Sequence, residues 1–393
     1  MRIVQLANFY GRASGGLRTT VDALGRGYVR AGHERVLIVP GSRYGCVRDE
    51  VHGLRMTLPG LAVGGGYRLM CAPRALRRAL ERLAPDSVEV SDKLTLVQAA
   101  SWARARGVRA VLLSHERLDA IVAPRLPGWV PLRQPADAWN RRLAAAFDAV
   151  AAASAFSCAE FARLGAPALY RVPLGVDLEV FSPAAAHSTG GRRGRRRSRG
   201  AAGVRGAAVG GEAPHLPVET VRALVRRGVD GWLDVLGDGP ERGRLERRAR
   251  GLPVRFHGHL RDRRAVAAAL ARADVALAPC PVETFGLSVL EALACGTAVV
   301  TADRGAAREL LSPGAGLAAP ASAARTAEAV LALLGGDADR RRAAARARAE
   351  EFPWSRAVTG MLTVHAGTAV ADRGACEAPG GRHLTSRATG CRL

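Results

Sequence analysis

Aromatic side chains are scarce in this chain, at 5% of its residues. Its cores must therefore be assembled from aliphatic residues, and the fold must be read from aliphatic patterning. Cysteine is sparse as well: the seven cysteines are odd in number and include no CxxC pair, which argues against a disulfide framework and for a reduced compartment. Cys280 and Cys295 sit among small apolar residues and read as buried thiols. No stretch approaches the ~18 uninterrupted apolar residues that span a bilayer. The opening MRIVQLANFYG reads as a strand, not a signal peptide, because no apolar run follows Arg2. The expected location is cytoplasmic, or peripheral on the inner face of the membrane. Acidic residues are also in deficit, 35 against 58 Lys and Arg, for a net charge of +23. Much of the excess lies in the run 192–205, with seven arginines and no acid. There is no zinc-ligand spacing, aromatic–basic RNA signature or helix-turn-helix pattern. Nucleic acid is accordingly set aside, and the charge is read as solvated helix faces. An anionic lipid surface suits it better, at about 1 kcal/mol per basic residue near the surface. Arg74, Arg77 and Arg78 on one helix are the candidates, with an ordinary solvated face the simpler reading.

What the chain does contain is enough for two cores: 393 residues, 48% of them hydrophobic. Strand and helix signals alternate from the start. Strands are expected at 3–7, 35–39, 87–90, 110–113 and 149–153, with helices at 17–31, 72–83, 94–106, 136–147 and 155–164. After an extended segment at 170–177 the series resumes. Strands are expected at 232–236, 254–256, 275–278 and 298–301, and helices at 217–227, 242–250, 264–272, 286–295, 324–334 and 340–350. Alternation of this kind predicts an α/β protein with two Rossmann-like domains, each a parallel sheet covered on both faces. The expected division is a first domain at 1–172, a second at 173–350, and a segment at 351–366 returning to the first. Residues 188–213 are rich in Gly, Arg and Ala without apolar periodicity and read as irregular, although the second domain needs its first strand there. Residues 367–393 read as a disordered tail.

Three constellations carry chemistry. In E-T-F-G-L-S-V-L-E (283–291) a strand runs into a loop bearing Glu283, and a helix opens near Gly286. The free N–H groups and positive dipole end of that helix suit a diphosphate, and glycine lets the backbone approach closely. Glu291, a turn and a half into the helix, can accept hydrogen bonds from vicinal hydroxyls such as those of a ribose. The first βα loop ends in Ser14-Gly15-Gly16 and resembles a phosphate loop, but it lacks G-x-G-x-x-G, so a nicotinamide oxidoreductase is disfavoured. Ser114-His115-Glu116-Arg117 and Asp92 each follow a strand, where polar side chains face the ligand crevice. Structural roles for the histidine and the aspartate remain open at this stage.

In order along the chain, ASGGLRT, SHER, VPLGVDLEVFSP and VLGDGP…ETFGLSVLEALACG…Glu309 resemble the retaining GT-B glycosyltransferases of family 4. VSDKLTL and SHERLD resemble its actinobacterial GDP-mannose-dependent α-mannosyltransferases acting on glycolipids. The likeness covers 1–183 and 214–365. It implies transfer of a hexose, mannose from GDP-mannose, to a lipid-linked or glycan hydroxyl with retention of configuration; a UDP-sugar donor stays open. By position it implies His115 and Glu283 at the transferred sugar, and Gly15, Gly16, Phe285, Gly286 and Leu287 on the donor's phosphate and sugar. Glu291 falls to the nucleotide ribose, and Asp92 and Arg117 to an acceptor or sugar site. No metal or other cofactor is implied, and no DxD motif is present. One departure matters: the family's G-R-L-x-x-x-K element, which clamps the diphosphate, is replaced within 188–213 by residues of the wrong type at preserved spacing, as a compensated reading-frame shift would leave them. The alternative is therefore an impaired homologue that binds sugar nucleotide or lipid without turnover, lacking a core strand and both clamp cations.

Overall fold

The structure, a computed structural model, describes residues 1–11, 15–64, 67–118, 133–187, 204–209 and 213–368. The first sheet contains β1 (Arg2–Leu6), β2 (Glu34–Gly41), β3 (Gly45–Asp49) and β4 (Gly53–Pro59). A small antiparallel pair, β5 (Leu61–Gly64) and β6 (Tyr67–Leu69), stands apart from it. β7 (Ser87–Val90), β8 (Arg109–Ser114), β9 (Ala149–Ala152) and β10 (Leu169–Arg171) complete the large sheet in the order β10-β9-β8-β7-β1-β2-β4-β3. Every pairing in it is parallel except β3 with β4.

The second sheet comprises β11 (Val204–Val209), β12 (Gly231–Leu236), β13 (Val254–Gly258), β14 (Val275–Ala278), β15 (Ala298–Ala302) and β16 (Gly316–Ala319). All its pairings are parallel, in the order β13-β12-β11-β14-β15-β16. β7 and β14 are buried along their whole length, as central strands covered on both faces must be. Each sheet has a switch point in its strand order, between β1 and β7 and between β11 and β14, and the first sheet's order inverts again only at its antiparallel β4–β3 edge. Such switch points leave a crevice at the carboxyl edge.

The expectation that 188–213 is irregular, and that the second domain lacks its first strand, is overturned within 204–209. β11 occupies the centre of the second sheet, paired with β12 on one side and β14 on the other. Ladder pairing on both edges and burial of Ala207 and Ala208 override a weak strand propensity. The small side chains leave their mark: a cavity of about 30 Å³ lined by Gly206, Val221, Leu224, Trp232 and Leu233 lies against the strand. The remainder of 188–213, apart from Ala213, and the tail beyond 368 lie outside the described residues.

After the second domain the chain turns at Phe352, whose carbonyl accepts from Val176 N at 2.9 Å. Helix Trp354–Ala366 then packs on the first sheet: Val358, Met361 and Val364 join Ile3, Leu24, Tyr28 and Val111 in one cluster. Close approach demands glycine at position 27, where a Cβ would stand 2.1 Å from Val358 Cγ2. At the far end of the helix, His365 Nε2 meets buried Glu89 at 3.1 Å, and Tyr28 donates to the same carboxylate at 2.7 Å.

The arginines are more than a solvated coat. Arg346 Nη1 donates to the carbonyls of Phe181 and Ala294, Arg342 to Ala271 and Ala273, and Arg341 to Leu333. Guanidinium forks thus satisfy carbonyls at helix ends, which would otherwise be left without partners. Arg35 is buried beneath helix Gly15–Arg30, bonded to Gln5 Oε1 and to the Val21 and His52 carbonyls. Among the described residues, no helix is long and apolar enough to cross a membrane.

Candidate active site

Helix Gly15–Arg30 follows β1, and helix Leu287–Ala294 follows β14, so both begin at the carboxyl edge beside a switch point. The two amino-terminal ends face one another across the domains. A Cβ placed on Gly16 would lie 3.8 Å from Leu287 Cδ1, while nothing lies within 4 Å of one placed on Gly15. Two positive dipole ends with free N–H groups therefore converge on one crevice. Phe285 is buried just before the turn, and Gly286 takes φ +102 as the residue preceding the helix, a conformation open chiefly to glycine.

Glu283 lies in the loop between. Its Oε1 accepts from Thr284 N at 3.1 Å and more weakly from Phe285 N at 3.4 Å. The loop is backed by the segment after β15: Ala306 N donates to the Glu283 carbonyl at 2.7 Å. Gly305, at φ +83, permits this contact, since a Cβ there would stand 3.0 Å from the Pro281 carbonyl. Glu291 lies further along the helix, with 21% of its side chain exposed. Burial pushes its carboxyl up to about 7; Arg263, 3.6 Å away, pulls it down, and Asp177 adds repulsion. The neighbouring Cys295 thiol is pushed up to about 12, chiefly by burial and then by Glu291, so it is not a thiolate near neutrality. Cys280 and Cys295 are buried thiols outside any disulfide, as their sequence context predicts.

His115 follows β8 and is joined to the second domain through its backbone: Thr284 Oγ1 donates to its carbonyl at 2.6 Å. The imidazole Nδ1 lies 3.4 Å from the Leu113 carbonyl. The structure thus brings His115 and the Glu283–Gly286 loop to one seam. Arg117 lies beside them, its guanidinium over the Phe156 ring at 4.4 Å. Asp92 is different. It is buried, and its oxygens accept from Asn8 Nδ2, Leu94 N and Thr95 N and Oγ1. These bonds build a turn that delays the following helix to Gln98–Arg104 instead of 94–106. Asp92 thus holds the loop after β7 from within.

Glu309 was legible only as part of a motif, and its role emerges from the geometry. From the turn Ala307–Leu310 of the second domain, its two oxygens accept from Ala155 N and Phe156 N, each at 2.8 Å. These are amino-terminal N–H groups of helix Ala155–Ala162 in the first domain, so one carboxylate caps a helix across the domain boundary. Ser154 Oγ adds a bond to the Thr284 carbonyl at 2.6 Å. Among the described residues, no three His, Cys, Asp or Glu side chains converge in a way that could hold a metal ion.

The chain is similar to known proteins over most of its length. The family model for glycosyltransferase family 4 matches residues 14–180, and that for glycosyl transferases group 1 matches 211–336. The chain is 43% identical to a GDP-mannose-dependent alpha-(1-6)-phosphatidylinositol dimannoside mannosyltransferase of Mycobacterium tuberculosis, over 95% of this chain and 98% of the relative. Sucrose-phosphate synthase from Thermosynechococcus elongatus superposes with a TM-score of 0.76 at 19% identity, covering 93% of this chain and 98% of that one. Anabaena Alr3699/HepE, solved with UDP and glucose, superposes at 0.68 with 17% identity, covering 94% and 100%. The fold is that of the GT-B glycosyltransferases.

Proposed function

Because the chain belongs to glycosyltransferase family 4, we propose that it moves mannose from GDP-mannose to a hydroxyl of a phosphatidylinositol-linked glycan, with retention of configuration. The observation that carries the donor and acceptor is the 43% identity across nearly the whole of both chains to an enzyme named for that donor and that class of acceptor. The crevice chemistry agrees with it. The donor diphosphate lies between the helix ends at Gly15-Gly16 and Gly286-Leu287, where dipoles and N–H groups meet the charge that develops on the leaving group. Arg263 adds a cation on the same side, beside Glu291. Glu283 keeps Oε1 on its own loop backbone and offers its second oxygen to hydroxyls of the transferred sugar. Glu291 accepts from the ribose hydroxyl pair, and His115 borders the reacting carbon. Residues in this arrangement bind, orient and stabilise charge without any step assigned to a metal. Acceptor approach is from the first domain, with Arg117 at the crevice edge and Arg74, Arg77 and Arg78 toward an anionic lipid surface.

The test is release of GDP by the purified protein, given GDP-mannose and a phosphatidylinositol mannoside in detergent, beside UDP-glucose and an acceptor-free control. Acceptor-dependent GDP release with a mannosylated lipid product is expected. Turnover with UDP-glucose alone, or with no lipid acceptor among those offered, refutes the donor or the acceptor respectively.

A further inference from the structure

Lys93 is the only lysine in a chain of 58 Lys and Arg residues. Elsewhere in this sequence arginine serves every cationic role, from surface pairs to the carbonyl forks of helix Ala338–Glu350. Position 93 is different in kind. It is buried, 7% exposed, and its ammonium donates to the carboxylate of Glu160, itself 0% exposed, and to the Glu116 carbonyl. The same ammonium lies 5.0 Å from the centre of the Phe161 ring. A compact point charge with three donors fits a space that a planar five-donor fork does not fill in the same way.

What this buried pair touches is the residue on either side of His115, the side chain of one and the backbone of the other. Glu160 accepts from Ser114 Oγ at 3.4 Å, one residue before the histidine. Lys93 holds the Glu116 carbonyl, one residue after it. The second domain holds His115 itself, through Thr284 Oγ1. Asn140 Nδ2 reaches the other Glu160 oxygen at 3.2 Å, and Trp139 Nε1 donates to the Lys93 carbonyl at 2.9 Å, so the pair is braced from behind by helix Arg133–Ala146. Three consecutive residues at the end of β8 are thus pinned, two of them by the Lys93–Glu160 pair.

We propose that Lys93 and Glu160 are positioning residues for the transfer reaction: their buried ion pair sets the height and tilt of His115 at the crevice. This rests on the reading of His115 as a group at the transferred sugar. Misplacement of a reacting group by about 1 Å can lower a rate on the order of 10²-fold. Neither residue is among those assigned to the donor diphosphate or ribose, so donor binding is left largely alone.

Removing one partner strands a buried charge and endangers folding, whereas replacing both with neutral residues of similar size is often tolerated. The decisive variant is therefore the double substitution Lys93→Met with Glu160→Gln, measured beside Lys93→Arg, His115→Ala and the parent protein. The expected result for the double variant is a cooperative thermal transition and a KM for GDP-mannose within about threefold of the parent, with kcat down on the order of 10²-fold. Lys93→Arg should fail to restore kcat. A double variant with kcat within threefold of the parent, while His115→Ala has lost activity, overturns the positioning role alone. A His115→Ala variant with undiminished kcat overturns the underlying reading of His115 and the proposal with it. Should the double variant not fold, Lys93→Arg decides: unchanged kcat overturns the proposal, and loss of kcat at constant KM supports it.

Discussion

Replacing Glu291 with Gln should stabilise the ligand-free protein at pH 8 while weakening its hold on the nucleotide. The carboxyl is pushed from 4.5 up to about 7, chiefly by burial, with Arg263 opposing and Asp177 adding to the shift. The gap is about 2.5 pH units, and each unit corresponds to about 1.4 kcal/mol, so the ceiling is about 3 kcal/mol. Because the side chain keeps 21% of its surface in solvent, about 2 kcal/mol is the working expectation. The sign follows from where the proton sits. Below pH 4.5 the carboxyl is neutral, folded or unfolded, and no charge is buried. Between 4.5 and 7 the folded chain keeps a proton that the unfolded chain releases, so this group's stabilising contribution drains away as pH rises. Above 7 the buried charge is present in full. Glutamine is neutral throughout, so the variant's advantage should grow from near zero at pH 4.5 to about 2 kcal/mol at pH 8. Urea unfolding of both proteins at four pH values reads this directly, since titrating groups remote from Glu291 cancel in the difference. Arg263 keeps Asp177 at 3.5 Å in the variant. Parallel stability curves, or a variant less stable at pH 8, would refute the reasoning. Calorimetric titration with GDP should show the opposite preference, with the variant binding at least tenfold more weakly.

Gly206→Ala should raise stability by about 1 kcal/mol, since a 30 Å³ void beside it carries about 0.7 kcal/mol at the usual cavity slope and loss of glycine adds several tenths. Leu233 Cδ1, 3.1 Å from the new methyl, must yield slightly, and an unchanged or lower midpoint in thermal unfolding counts against the cavity. Gly27→Ala should destabilise by about 2 kcal/mol, although alanine normally improves a helix interior by about 1 kcal/mol, because its Cβ meets Val358 at 2.1 Å. Val358→Ala in the same chain should recover most of the loss, and strict additivity of the two changes would show that the helices do not meet there. Glu309→Gln keeps the shape but replaces one of its two acceptor oxygens with a donor, so the domains should separate more readily. Small-angle scattering should show a larger radius of gyration in the variant, and an identical profile would remove the latch.

Much of the architecture is legible because its signals are local. Ser87–Val90 and Val275–Ala278 lie where the sequence leads one to expect them, and each is a central strand buried on both faces. Glu283, Gly286 and Glu291 are readable together because one loop and one helix carry all three. β11 is not readable in this way: V-R-G-A-A-V offers neither alternation nor a branched run, and its strand character comes from neighbours 27 and 69 residues away in the ladder. Nor are β3 and β5 conspicuous, since both lie at exposed edges with no buried face to impose a period. Arginine is the most misleading letter. Spacing shows where a charge falls on a helix, but not that its fork ends on a carbonyl contributed from 52 or 165 residues away, as Arg346 does.

The site's two halves are not independent. The segment that backs the Glu283 loop, through Ala306 N and the close approach at Gly305, also carries Glu309 to the first domain. Thr284, within that loop, bonds through its hydroxyl to His115 and through its carbonyl to Ser154. A shift of the loop that would change where Glu283 meets a sugar must therefore strain four hydrogen bonds to the first domain, two of them to a carboxylate. Such bonds contribute about 1 kcal/mol each, and more when charged, so crevice geometry and domain closure form one equilibrium. A donor that draws the loop onto its phosphate also draws on the carbonyl of His115, and the two groups expected at the transferred sugar reach their working positions together.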